Sequence, residues 1–130
     1  METATAVKAQ SNTPNIPAIG SEWNGGIYAG LTIHENKPAH LILLPGQVIK
    51  TWSDAKVWAA EQNAELPSRV DALILFQNLK GEFEERWYWT GELDASDPAS
   101  AWLQDFLNGY QHCSYTYHEF RARAVRRLPI

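Results

Sequence analysis

The side chains able to do chemistry are gathered in the second half of this 130-residue chain. Cys113 is its single cysteine, with His112 beside it and His118 further along the same tyrosine-rich segment, Gln111 to Phe120 (QHCSYTYHEF). A cysteine–histidine nucleophile pair needs a third group to orient the base, and a zinc site needs three or four converging ligands. Neither pattern is complete here, so Cys113 is expected to be a small buried residue and no metal site is expected. Glu92, Asp94 and Asp97 fall within Gly91 to Ser100 (GELDASDPAS). Their oxygens would suit calcium, but they lack calcium-loop spacing and read as a polar turn around Asp-Pro.

Two further groups are better suited to binding than to catalysis. Tyr110, His112, Tyr115, Tyr117 and His118 form an aromatic cluster in sequence. Tyrosine combines a rigid apolar body with a polar tip at low ordering cost, as recognition loops require, although a partly buried strand edge would use the same residues. Arg121, Arg123, Arg126 and Arg127 crowd the C-terminus and could grip phosphate or carboxylate. Strand alternation would put Arg121, Arg123 and Arg127 on one face. Between Thr51 and Glu119 acidic residues far outnumber basic ones, so these arginines have pairing partners within the chain; the alternative is a free acidic face.

The elements that position these groups centre on Thr51 to Thr90 (TWSDAKVWAAEQNAELPSRVDALILFQNLKGEFEERWYWT). Thr51 and Asp54 mark a helix start, with Ser53 a competing cap. Trp52, Ala55 and Ala59 recur at helical spacing and form a narrow face that allows close approach to a sheet, and Asn63 is a suitable left-handed terminator. Leu66-Pro67-Ser68 is a hinge: proline pushes Leu66 out of the helical region, and Ser68 with Asp71 forms a capping box for a second helix. Val70, Leu73, Ile74 and Gln77 follow one face of that helix, and Leu75, Phe76 and Leu79 widen its apolar surface. This predicts burial on both sides, with Leu73 in the core and Gly81 as a left-handed C-terminal glycine.

Around this centre the chain reads as strands. Trp23 to Ile33 and His40 to Leu44 predict a hairpin turning near Glu35-Asn36-Lys37. Trp87-Tyr88-Trp89-Thr90 predicts a strand with both tryptophans on one face and Tyr88 on the other. Gly91 to Ser100 reads as a loop, Ala101 to Leu107 as a strand with Trp102 and Phe106 in phase, Asn108-Gly109 as a turn, and Arg121 to Leu128 as one final strand. Met1 to Ser21 reads as a flexible tail, so a single domain is expected over residues 22–130.

Composition narrows the function classes. A formal net charge of −4 argues against direct nucleic-acid binding, which normally shows a basic excess. Six tryptophans fit either a core or a recognition surface. One cysteine excludes an intramolecular disulfide and points to a cytoplasmic site of folding. No stretch has the length and apolarity of a signal-peptide core or a membrane span.

Taken in order, Trp52-x-x-Ala55, Leu66-Pro67-Ser68, Trp87-Tyr88-Trp89-Thr90, Ala101-Trp102 with Phe106 and Asn108-Gly109, and Ala124-Val125-Arg126 give a pattern that resembles the Lcl C-terminal-type domains. These are small bacterial and phage domains named after a collagen-like adhesin. The resemblance covers about residues 25 to 128. It implies an α+β, C-type-lectin-like fold, with two helices packed on twisted antiparallel sheets and the termini close together. Such folds serve as recognition scaffolds, but fold alone does not license a function. The chain departs from many relatives at Trp89-Thr90-Gly91-Glu92, where they carry a serine-serine-threonine run. It also lacks the Glu-Pro-Asn and Trp-Asn-Asp calcium motifs of sugar-binding lectins.

The expectation is therefore a non-enzymatic recognition protein, encoded by a phage or prophage, without cofactor. It would bind a bacterial or phage protein or a surface ligand through two C-terminal loops, Gly91 to Ser100 and Gly109 to Phe120. Asp94, Asp97, Tyr110, Tyr115 and Tyr117 would be presented there, with Arg121 and Arg123 as further contacts. It would act in the host cytoplasm or as part of a virion, where it would oligomerise. The alternative is an intracellular phage accessory protein that inhibits a bacterial defence complex by placing an acidic surface in a basic channel. An enzyme related to the formylglycine-generating fold ranks third, for want of a ligand set.

Overall fold

Glycine and asparagine in left-handed conformations set the first folding unit. In the computed structural model, which describes residues 16–130, β1 (Glu22–Trp23) turns through Asn24 and Gly25, at φ of 51° and 83°, into β2 (Gly26–His34). Glu35 and Asn36, at 52° and 64°, then turn it into β3 (Lys37–Leu43). Two successive positive φ values match the right-handed twist of the flanking strands, as the sequence predicts for this hairpin. Residues 1–15 of the expected tail lie outside the described residues. Its last residues join the ladder: Gly20 N–H donates to the Tyr28 carbonyl at 2.9 Å, and Tyr28 N–H to that of Ser21 at 2.9 Å.

After β4 (Val48–Lys50) come α1 (Trp52–Ala60) and α2 (Arg69–Leu79). Thr51 stands at the N-cap of α1 in extended backbone, without a side-chain bond, and Asp54 lies in the first turn. Trp52, Ala55 and Ala59 are buried, as their spacing predicts, and Asn63 adopts a φ of 55°. Both halves of the α2 capping box are present: Ser68 Oγ accepts from Asp71 N–H at 3.0 Å, and Asp71 Oδ2 from Ser68 N–H at 2.9 Å.

Three expectations about α2 and its exit are corrected. The buried face is Asp71, Ala72, Leu75 and Leu79, while Val70 and Leu73 are 46% and 48% exposed. Asp71 points inward to Thr32 and Arg127, and with it on the buried side the helical period brings Leu75 and Leu79 inward and leaves Val70 and Leu73 outward. The helix is thus not buried on both sides. Gly81 is not a left-handed terminator either; the chain continues into a 3-10 turn at Lys80–Glu82.

The remaining strands are β5 (Trp87–Asp94), β6 (Asp97–Asp105), β7 (Gln111–Tyr115), β8 (Phe120–Ala122) and β9 (Val125–Pro129). Gly91 to Ser100 is not a loop but a hairpin whose turn is Ala95-Ser96, and Gly109 to Phe120 is not a loop throughout, because Gln111–Tyr115 pairs with β6 as a strand. Arg121 to Leu128 is not one strand. It is cut at Arg123-Ala124, so that β8 and β9 enter different sheets. One sheet has the order β1-β2-β3-β9 and the other β4-β8-β5-β6-β7. The fold is α+β, with two helices and mostly strands in two sheets. Pairings are antiparallel except where β5 meets β8 in parallel at Tyr88 and Arg121. The first and last strands occupy the two edges of one sheet.

Alternation along β5 divides the interior in two. Trp89 joins Trp52, Ala55, Ala59 and Leu103, with Trp87 packed against them; Tyr88 joins Leu41, Leu75, Phe106 and Val125 on the other side. Both buried indoles are satisfied: Trp52 Nε1 donates to the Thr90 carbonyl at 2.8 Å and Trp89 Nε1 to that of Lys50 at 2.9 Å. Gly109, at a φ of 87°, ends the β6–β7 turn, and a Cβ there would stand 2.7 Å from the Phe76 ring.

Candidate recognition surface

The register of β6 on β7 decides which candidate residues meet. Ser100 is opposite Tyr115, and Thr116 N–H donates to the Ala99 carbonyl at 2.9 Å. The Asp94–Asp97 tip of the β5–β6 hairpin therefore projects past the Tyr115 end of β7. There Tyr115 and Tyr117 stack with their rings nearly parallel, 5.5 Å between ring centres and 6° between planes, with 48% and 68% of their surfaces exposed. His118 stands edge-on to Tyr117 at 4.7 Å, and its Nδ1 is 3.0 Å from Ser114 Oγ. Trp52 N–H donates to the Thr116 carbonyl at 3.1 Å, which ties this turn to the start of α1.

Turn chemistry shapes the hairpin tip. Asp94 accepts from Ser96 N–H and Oγ at 3.1 and 3.0 Å, and Asp97 from Ala99 N–H and Ser100 Oγ at 3.1 and 3.2 Å. The Ser96 bonds hold the Asp94 carboxyl below its ordinary range. Burial, followed by the neighbouring Asp94 carboxylate, pushes the Cys113 thiol up, which disfavours the thiolate a nucleophile requires. His112 does not converge on it, because it packs edge-on against Trp87 at 5.4 Å. Among the described residues no group of three or more His, Cys, Asp or Glu is arranged to hold a metal ion.

Tyr110 is separated from the other tyrosines. It is 61% exposed at the opposite end of β7, beside His112 and about 17 Å of strand from Tyr115. The aromatic cluster in the sequence is thus two patches, and only the Tyr115–Tyr117 patch adjoins Asp94 and Asp97.

The terminal arginines are also dispersed, because the chain changes sheet between them. Arg121 pairs with Glu84 at 3.3 Å. Arg127 binds Glu65, and Asp71 at 2.6 Å; burial opposes its charge, but the Asp71 and Glu65 carboxylates together more than offset this and the guanidinium pKa is raised. Arg126 donates to the Gln62 carbonyl at 3.2 Å. Arg123 is only 8% exposed and donates to the Glu82 and Leu44 carbonyls at 2.7 and 3.0 Å; burial lowers its pKa. Pairing with the acidic middle of the chain is thus seen for Arg121 and Arg127, and a shared face for Arg121, Arg123 and Arg127 is not.

Two features have no counterpart in the sequence reading. Arg69 lies 3.5 Å over the Trp102 ring, and its Nε donates to Gln111 Oε1 at 2.9 Å, which clamps the start of α2 onto β6 and β7. A groove of about 1090 Å³ runs between the β1–β2 turn, the β3–β4 connection and the 3-10 turn, with Trp23, Gln47, Phe83, Glu84 and Arg123 in its lining. It is built from segments far apart in the chain, so no local motif announces it.

Comparison of the chain with protein-family models and with curated proteins finds no match. The candidate surface therefore rests on its own geometry.

Proposed function

We propose that this chain is a non-enzymatic recognition protein that binds a protein partner through the Tyr115 end of the β5–β6–β7 sheet. The observation that carries this reading is the exposed, parallel stack of Tyr115 and Tyr117 beside the Asp94–Asp97 hairpin. A stacked pair is ordered before binding, so little side-chain entropy remains to be lost on contact. Two helices with two mostly antiparallel sheets also support the lectin-like scaffold that the Lcl C-terminal-type resemblance implies, although β1 and β9 lie at opposite edges of one sheet instead of side by side. On that reading the gene belongs to a phage or prophage and the partner is bacterial or phage protein.

The test is capture of partners from bacterial lysate on tagged protein, with mass spectrometry, repeated for the double variant Tyr115→Ala/Tyr117→Ala. The parent is expected to retain one stoichiometric partner and the variant to lose it about tenfold or more. Undiminished capture by a folded variant would remove the tyrosine stack from the reading.

The inhibitor form of the reading has its own support. Arg121 and Arg127 are paired and Arg123 is buried, so Asp94 and Asp97, on the hairpin tip that projects past Tyr115, and Glu119, two residues after Tyr117, are left without those cations. An accessory protein that occupies a basic nucleic-acid channel of a defence complex would lose its partner steeply as salt rises. A retained partner indifferent to salt would count against this form.

A further inference from the structure

Among the described residues the two sheets have four outer strands, and three of them are blunted. β1 has two residues, and β4 has three and ends in Lys50. β9 exchanges main-chain bonds with Glu65 at Val125, at 2.8 and 3.0 Å, and closes on Pro129. β7 carries none of these devices. Its five residues include no proline and no Asp, Glu, Lys or Arg, and it pairs with β6 over five consecutive positions without a bulge. An edge of this kind is a template for another strand.

The direction of its main-chain groups follows from the ladder. Asp105 N–H donates to the Tyr110 carbonyl at 2.8 Å at one end, and Thr116 N–H to that of Ala99 at 2.9 Å at the other. Antiparallel alternation between these ends turns the N–H and C=O of Gln111, Cys113 and Tyr115 away from β6. The Tyr115 carbonyl takes His118 N–H at 3.1 Å. The three N–H groups and the carbonyls of Gln111 and Cys113 face outward.

We propose that β7 is a docking edge to which an extended, basic segment of a partner protein adds as a sixth strand of the sheet. This rests on the recognition reading and names the kind of segment recognised. Charge complementarity selects a basic one. The Asp94–Asp97 tip projects past the Tyr115 end of the edge, and Glu119 follows the β7–β8 turn. Arg69, the cation nearby, is engaged with Trp102 and Gln111. The Tyr115 and Tyr117 rings offer their faces to lysine or arginine at the end of the edge. Main-chain bonds would supply affinity and the acidic flank the preference.

The test uses fluorescein-labelled peptides of alternating lysine and valine or alternating glutamate and valine, the whole chain, and the variant Cys113→Pro. Proline removes an outward N–H and leaves the bonds of residues 112 and 114 to β6 in place. The lysine peptide is expected to bind by anisotropy, to lose about tenfold on Cys113→Pro, and to be preferred over the glutamate peptide by about tenfold. Amides of Gln111, Cys113 and Tyr115 should gain exchange protection when it binds. If Cys113→Pro is unfolded by circular dichroism, peptides N-methylated on alternate residues replace it; one methylated set should abolish binding and the other should not. No binding of the lysine peptide, equal binding of both peptides, or insensitivity to proline and to N-methylation would each overturn the proposal. A dimer of the parent that Cys113→Pro dissolves assigns the edge to a second copy and overturns it too. Capture of the lysate partner that survives Cys113→Pro but not the tyrosine double variant overturns the edge alone. Capture that survives both overturns the recognition reading itself.

Discussion

Asp71 is fully buried and holds together three parts of the chain. Its carboxylate accepts from Ser68 N–H, from Thr32 Oγ1 at 2.5 Å, and from Arg127 Nε and a terminal nitrogen at 2.9 and 2.6 Å. Removing one member of a buried, hydrogen-bonded ion pair costs about 3–5 kcal/mol, and because Arg127 keeps Glu65 the lower end of that range applies here. Asp71→Asn should therefore lower stability by roughly that amount in urea titrations, and a loss under about 1 kcal/mol would contradict the role assigned to it. Cys113 gives a second test at this scale. Because burial and then Asp94 raise its pKa, the thiolate appears only at higher pH than in an unfolded chain. The profile of alkylation rate against pH should be displaced upward in the folded protein, and Asp94→Asn should move it part of the way back. A rate at pH 8 equal in folded and urea-unfolded chains would reject this environment.

At the scale of elements, α2 separates what sequence pattern can fix from what it cannot. Its start was legible, because a capping box closes within four residues and needs no distant partner. Ser68→Ala should cost about 1 kcal/mol, measured by thermal melting. Its buried face was not legible, because Ala72 to Phe76 is an unbroken apolar run over more than one turn and periodicity then has little contrast. Leu75→Ala should cost about 2–5 kcal/mol, whereas Leu73→Ala should stay within about 0.5 kcal/mol. Equal losses would mean that the helix is turned differently. The β5–β6 hairpin is the same lesson for strands. Its polar composition reads as loop, yet Asp94 and Asp97 each satisfy local N–H groups, which lets two strands close over a two-residue turn.

For the whole molecule, the chain passes between sheets after β3 and again between β8 and β9, where Ala124 belongs to one apolar cluster and Val125 to the other. Adjacent residues cannot leave separate cores independently, so the two clusters should unfold together. Trp52→Ala, in one cluster, and Leu75→Ala, in the other, should each lower a single transition seen alike by tryptophan fluorescence and circular dichroism. Two resolved transitions in either variant would refute this coupling. Among the described residues no helix is long and apolar enough to cross a membrane.

What the sequence determined by itself is everything whose cause lies within a few residues. The hairpin turn at Glu35-Asn36, the capping box at Ser68 and Asp71, the narrow face of Trp52, Ala55 and Ala59, and the opposed faces of Trp89 and Tyr88 are of this kind. Each depends on backbone preference or on a fixed period of side-chain direction. Tertiary structure alone decided the rotation of α2, the division of the terminal arginines, the separation of Tyr110 from Tyr115 and Tyr117, and the open edge of β7. These depend on partners distant in the chain: Thr32 and Arg127 for Asp71, Glu65 for Val125, Ser100 for Tyr115. Which distant groups meet is settled by competition among packings of the entire chain, and local preference carries no record of its outcome.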